Sequence, residues 1–235
     1  MPGLQKPMTD REAQRTTRIK ICCIGSVAEA ELAMRYGADA LGLVSAMPSG
    51  AGIITDAQIR EIVPHIEPPV ESFLLTSEPD PARIVVQHAE ARPSVIQLVH
   101  RRSVSALEYL RRELPGVKLV QVVHVEGADA IEEARRVESL VDYLLLDSGR
   151  PSAVVPEFGG TGRTHDWSVS AALVAAVGTP VFLAGGLDPS NVGEGVRRVR
   201  PFGVDVCSRL RPEGHLDEGL LAAFVAAVRE ADASA

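Results

Sequence analysis

Short apolar runs rich in Val, Ile and Leu recur along the chain at residues 18–24, 40–45, 70–76, 94–99, 117–123, 142–147, 180–184 and 203–207. Each is nearly continuous rather than alternating, the pattern of strands covered on both faces. Helical spacing and helix punctuation fill the intervals. Ser26, with Glu29 three residues on, has the form of a capping box for a helix over 28–36, which Gly37 stops. Thr55 or Asp56 opens a second helix running to about His65, and Pro79-Asp80-Pro81 opens a third. Ser103 caps a fourth, which Pro115-Gly116 ends, and a fifth spans 128–140. The last three are 168–177, a helix opened by Asp188-Pro189-Ser190, and 217–230.

Eight runs alternating with eight helical segments predict an α/β fold with a parallel sheet. Eight units in 235 residues suit a closed (β/α)8 TIM barrel with short loops over 18–235, preceded by a polar, proline-containing tail over 1–17. The rival, an open doubly wound sheet, usually has fewer units and a Gly-rich first turn, and no G-x-G-x-x-G follows the first run. Gly37-Ala-Asp39-Ala and Gly203-Val-Asp205-Val echo one another at the openings of the second and eighth runs.

Composition narrows the function classes. A net charge of −7 argues against a nucleic-acid partner, which needs a concentrated basic surface. No apolar run is long enough to cross a bilayer and no signal peptide is evident, so no membrane partner and a cytoplasmic location are expected. Cys22, Cys23 and Cys207 are odd in number and two are adjacent, which predicts reduced thiols rather than disulfides. The six histidines have no metal-binding spacing, so no metal is expected.

Barrel chemistry is built from the loops that follow the strands, which selects Cys22-Cys23, His100, His124, Asp147, Gly185-Gly186 and Cys207-Ser208-Arg209. Side chains alternate along a strand. With Lys20 inward, Cys22 is inward and Cys23 turns to the helices; Leu145 and Asp147 share the inward parity on the sixth run. A thiolate and a protonated carboxyl facing each other suit proton transfer on both sides of one substrate. A cysteine in an apolar run can equally be core filling. Gly185 and Gly186 before a helix start form either a phosphate cradle or a plain tight turn. The long loop holding Gly159-Gly160-Thr161-Gly162 is either a cover for a ligand or a linker. His100 either lines the site or is structural.

Three blocks resemble the phosphoribosylanthranilate isomerase family. They are Lys20-Ile21-Cys22-Cys23-Ile24 with Gly37-Ala38-Asp39-Ala40-Leu41-Gly42; Leu145-Leu146-Asp147 with Gly159-Gly160-Thr161-Gly162-Arg163-Thr164-His165-Asp166-Trp167; and Leu183-Ala184-Gly185-Gly186-Leu187-Asp188-Pro189-Ser190-Asn191-Val192 continuing to Val206. The resemblance implies a (β/α)8 barrel without a cofactor, a monomer or homodimer. It implies a small phosphorylated substrate, rearranged to an aminoketone with Cys22 as general base and Asp147 as general acid. Gly185, Gly186, Ser208, Arg209, Gly160 and His100 are then the substrate- and phosphate-binding candidates. Against the family pattern, Cys23 replaces a glycine, residues 48–52 lack the arginine expected for the anthranilate carboxylate, Gln121 replaces a lysine, and Arg209 replaces a phosphate-contacting glycine.

Overall fold

The computed structural model describes residues 16–48, 50–148 and 166–234. Its strands are β1 (Arg18–Ile21), β2 (Ala40–Val44), β3 (Glu71–Thr76), β4 (Val95–Leu98), β5 (Lys118–His124), β6 (Tyr143–Asp147), β7 (Val181–Leu183) and β8 (Gly203–Val206). All neighbours pair in parallel, and β1 pairs with both β2 and β8, so the sheet closes as the expected barrel. The helices are α1 (Val27–Arg35), α2 (Asp56–Ile62), α3 (Pro81–Ala91), α4 (Val104–Glu113), α5 (Asp129–Val137), α6 (Trp167–Ala176), α7 (Val192–Val199) and α8 (Glu218–Ala233).

The caps explain most helix starts. Thr55 and Gln58 form a full reciprocal capping box on α2, and the side chains of Asp80, Ser103, Asp166 and Asp217 accept N–H bonds at the starts of α3, α4, α6 and α8. Two starts differ from the sequence reading. Ser26 accepts from the Glu29 N–H, but the Glu29 carboxylate accepts instead from Gly25 N–H, Leu216 N–H and Arg211. The expected box is therefore half formed, and Glu29 ties the start of α1 to the loop before α8. The seventh helix begins at Val192 rather than at Asp188, because the Asp188 carboxylate closes a turn on Ser190 and Asn191 takes the cap position.

Strand parity divides the apolar residues into an inner and an outer core. Outside the barrel, two clusters fill the gap between sheet and helices. One joins α1, α7 and α8 to β1, β2 and β8 through Ile19, Ile21, Leu41, Val204 and Phe224; the other joins α3 to α6 to the opposite strands. Inside, Phe73, Tyr143, Phe182 and Phe202 pack in stacked and edge-to-face pairs with centroids 5.4–6.2 Å apart. This plug occupies the N-terminal part of the barrel. Further along the strands Lys20, Gln97 and Asp205 enter the interior, all buried.

The expectation of reduced thiols is overturned at one pair. Cys23 and Cys207 form a disulfide, with their Cα atoms 5.7 Å apart, and Cys22 is the free cysteine. They are 184 residues apart in sequence, but barrel closure sets the end of β1 beside the end of β8. Cys23 also departs from strand parity. Its φ of 64° places it in the left-handed region, so its side chain turns towards β8 and not towards the helices.

The aromatic plug gives a stability test. Phe182→Ala removes a fully buried ring and is expected to lower unfolding free energy by about 3–5 kcal/mol in urea denaturation. Val86→Ala, at an exposed site on α3, should stay within about 0.5 kcal/mol of the parent. Equal effects at the two positions would remove the plug from its structural role.

Candidate active site

The C-terminal strand ends surround an open cleft of about 770 Å³. Cys22 and Cys23 reach it from β1, Met47, Gly50 and Ala51 from the loop after β2, and Gln97 and Val99 from β4 and its end. Asp147 enters from β6, Gly185, Gly186 and Leu187 follow β7, and Asp205, Cys207, Ser208 and Arg209 come from β8 and beyond. The fold thus brings together Cys22, Asp147, Gly185, Gly186, Ser208 and Arg209. His100 lies at the end of β4 outside this lining, and Gly160 lies outside the described residues.

Cys22 is buried, and beneath it the Lys20 ammonium donates to Asp205 Oδ1 at 2.9 Å. Burial pushes the Cys22 thiol above its ordinary range; Lys20 opposes this and the Asp205 carboxylate adds to it. Burial also disfavours the charged form of Lys20, but Asp205 and the Cys22 sulfur outweigh that cost and hold its pKa above the usual value. Thiol, ammonium and carboxylate form one coupled group. Gly42 makes room for it, since a β carbon there would lie 2.7 Å from Cys22 Sγ and 3.1 Å from Lys20 Nζ.

Asp147 sits at the end of β6, in register with His124 on β5, and its Oδ1 accepts from the Ser148 N–H at 2.7 Å. Desolvation raises its carboxyl pKa, the His124 side chain and the Ser148 N–H oppose the shift, and Asp205 reinforces it. Burial thus shifts this carboxyl towards its protonated form; at Cys22, Lys20 favours the thiolate against the larger opposing effect of burial. After β7, Gly185 and Gly186 have φ values of 82° and 67°. A β carbon on Gly185 would sit 2.8 Å from the Ser148 backbone nitrogen, so only glycine fits between β6 and β7 here. The Asn191 side chain donates to the Gly186 carbonyl and accepts from the Asp188 N–H, fixing the turn.

A family model described as N-(5'-phosphoribosyl)anthranilate (PRA) isomerase matches residues 19–227. The chain belongs to this family. It is an isomerase of the phosphoribosylanthranilate isomerase family. A relative from Methanocella arvoryzae named N-(5'-phosphoribosyl)anthranilate isomerase is 35% identical over 214 residues, 91% of this chain and 98% of that protein. One from Haloferax volcanii with the same name is 38% identical, covering 92% and 94% of the two chains. Among solved structures, the phosphoribosyl anthranilate isomerase from Thermococcus kodakaraensis superposes with a TM-score of 0.73 at 32% identity, covering 91% of this chain and 99% of that one.

Measured against the phosphoribosylanthranilate isomerase pattern, two substitutions acquire a physical account. Gln121, in place of a lysine, accepts from the Arg102 N–H and donates to the carbonyls of Leu98 and His100, holding the β4 loop from within. Cys23, in place of a glycine, has a left-handed backbone and forms the bridge to Cys207. Lys20 and Asp205 join the site without any motif that marks them. The one sequence signal was charge inside two apolar runs at inward parity.

Asp205→Asn retains an acceptor for Lys20 but removes a negative charge that raises the Cys22 thiol. The thiolate should then form at lower pH, so the pH profile of Cys22 alkylation in the bridged protein is expected to shift downward. An unchanged profile would separate Asp205 from control of the thiol, and an upward shift would show that its main effect runs through the charge on Lys20.

Proposed function

We propose that the cleft converts N-(5-phosphoribosyl)anthranilate to the carboxyphenylamino-deoxyribulose phosphate, an Amadori rearrangement in tryptophan biosynthesis. The observation that carries this reading is the convergence of Cys22 and Asp147 on one cleft with the Gly185-Gly186 turn. Burial raises both groups and so shifts the Asp147 carboxyl towards its acid form, while the Lys20 ammonium is the group that favours the Cys22 thiolate against that burial. Asp147 donates its proton to the ribose ring oxygen, the ring C–O bond opens, and the anthranilate nitrogen takes up the iminium. The Cys22 thiolate removes the proton from the second sugar carbon. The electron pair neutralises the iminium, leaving an enolamine that tautomerises to the aminoketone. No external oxidant or reductant enters, because the second sugar carbon is oxidised as the first is reduced.

The phosphate is held by backbone N–H groups of Gly185 and Gly186, with Ser208 and Arg209 on the β8 side of the cleft. Arg209 is the only Lys or Arg among the described residues that line it. That observation also favours a second reading. Residues 48–52 carry no arginine for an aromatic carboxylate, which suits a diverged paralogue acting on another phosphorylated sugar, or a non-catalytic ligand-binding barrel.

Rescue of a tryptophan auxotroph lacking this isomerase, with product formation assayed on the purified protein, separates the readings. Wild type should rescue, whereas Cys22→Ser and Asp147→Asn should each lose roughly 10²–10⁴-fold in kcat, the usual worth of a positioned acid or base. Soluble wild type that neither rescues nor forms product would remove the phosphoribosylanthranilate reading. Arg209→Ala is expected to raise KM about tenfold or more, as loss of a charge-assisted hydrogen bond does, with a smaller change in kcat.

A further inference from the structure

We propose that the Cys23–Cys207 disulfide is a reducible modification site whose redox state sets anion affinity at the cleft, its substrate being a small dithiol or a dithiol reductant protein. The inference rests on the placement of phosphate beside Ser208 and Arg209. Cys23 directly follows Cys22, and Cys207 directly precedes Ser208 and Arg209, so one covalent bond joins the neighbours of the thiol and of the anion-binding turn. Both cysteines line the cleft; Cys23 is 5% exposed, while Cys207 is half-buried and is the more exposed of the two.

The local backbone shows what the bridge holds. Cys23 is kept at a φ of 64°, a conformation costly for a residue with a β carbon. Gly52 packs so closely that a β carbon on it would lie 2.3 Å from Cys23 Cβ, and Cys23 Sγ lies 3.5 Å from the Ala51 carbonyl oxygen. The bridged Cys23 side chain therefore packs directly on the β2 loop. On the β8 side, Cys207 flanks a 3-10 turn over Ser208–Leu210, and its carbonyl accepts from the Leu210 N–H. The far end of that turn is held separately. Arg211 pairs with Glu29 at 2.8 Å and donates to the Cys22 carbonyl at 3.3 Å. Breaking the bridge removes the covalent tie next to Ser208 and Arg209 and leaves the barrel seam paired.

The exchange is balanced. A thiolate of the dithiol attacks Cys207 Sγ, the S–S bond breaks, and Cys23 leaves as a thiolate that takes up a proton. The second thiol of the reductant then displaces Cys207. Two protein thiols form and the dithiol becomes a disulfide, with two electrons passing to the protein.

The test uses the full chain, equilibrated with oxidised or reduced dithiothreitol. Alkylation and mass measurement should count one free thiol, Cys22, in the oxidised form and all three after reduction. Inorganic phosphate titrated by calorimetry should bind about tenfold more weakly after reduction, the loss of one well-placed charge-assisted contact. Far-UV circular dichroism should stay folded, and Cys23→Gly and Cys207→Ser should abolish the redox response. Phosphate affinity unchanged while the thiol count rises from one to three would overturn the proposal. So would three free thiols under oxidising conditions, unfolding on reduction, or a response that survives in both variants. Redox-dependent phosphate binding without isomerase activity in either state would sustain this inference and remove the proposed reaction. Isomerase activity with redox-independent phosphate binding would do the reverse.

Discussion

The buried ion pair between Lys20 and Asp205 is the interaction on which barrel and site jointly depend. The two residues are in-register neighbours on β1 and β8, the first and last strands. Closing the barrel creates their contact, and each makes the other's burial tolerable. Removing one partner from such a pair typically costs about 3–5 kcal/mol, because the remaining charge is left without compensation. An apolar replacement of both would spare that cost, so the pair is better understood through the thiol above it. Lys20 draws Cys22 towards its thiolate form while Asp205 restrains that effect. The seam that closes the fold therefore also acts on the thiol, against and alongside the larger effect of burial.

The interior is graded along the barrel axis. The aromatic plug fills the N-terminal part, the buried polar residues Lys20, Gln97 and Asp205 follow, and the cleft opens beyond them. An apolar floor beneath the charges limits solvation from below, which strengthens their mutual interaction. Glu29 and Arg211 fasten the same end of the barrel from outside by holding the Cys22 carbonyl and the loop before α8. The disulfide adds a covalent tie in this region, at a backbone position where the family pattern places a glycine. The turn at Cys23 is left-handed, and the bridge links the ends of β1 and β8.

Much of the architecture was legible because parallel strands buried on both faces leave continuous apolar runs, and because Thr55, Asp80, Ser103 and Asp217 cap helices through contacts within a few residues. The convergence of Cys22, Asp147 and Gly185-Gly186 on one cleft was likewise legible, since strand ends and parity are local properties. The errors arose where a side chain has distant competing partners. Glu29 has the spacing of a capping box but bonds Arg211 and Leu216. The echo of Asp39 and Asp205 is one of sequence only. Asp39 precedes β2 and accepts from the Ile19 N–H, whereas Asp205 faces the barrel interior towards Lys20.

The sequence by itself determined the eight-fold alternation, the inward parity of Lys20, Cys22, Leu145 and Asp147, and the family pattern around them. These depend on periodicities of a few residues. Tertiary structure decided which of the two adjacent cysteines remains a thiol, because the end of β1 meets the end of β8 only when the barrel closes. It likewise decided that Lys20 would be compensated, since its counter-charge lies 185 residues away along the chain. Neither pairing can be read from local spacing, and both act directly on the sulfur of Cys22 or on its neighbour.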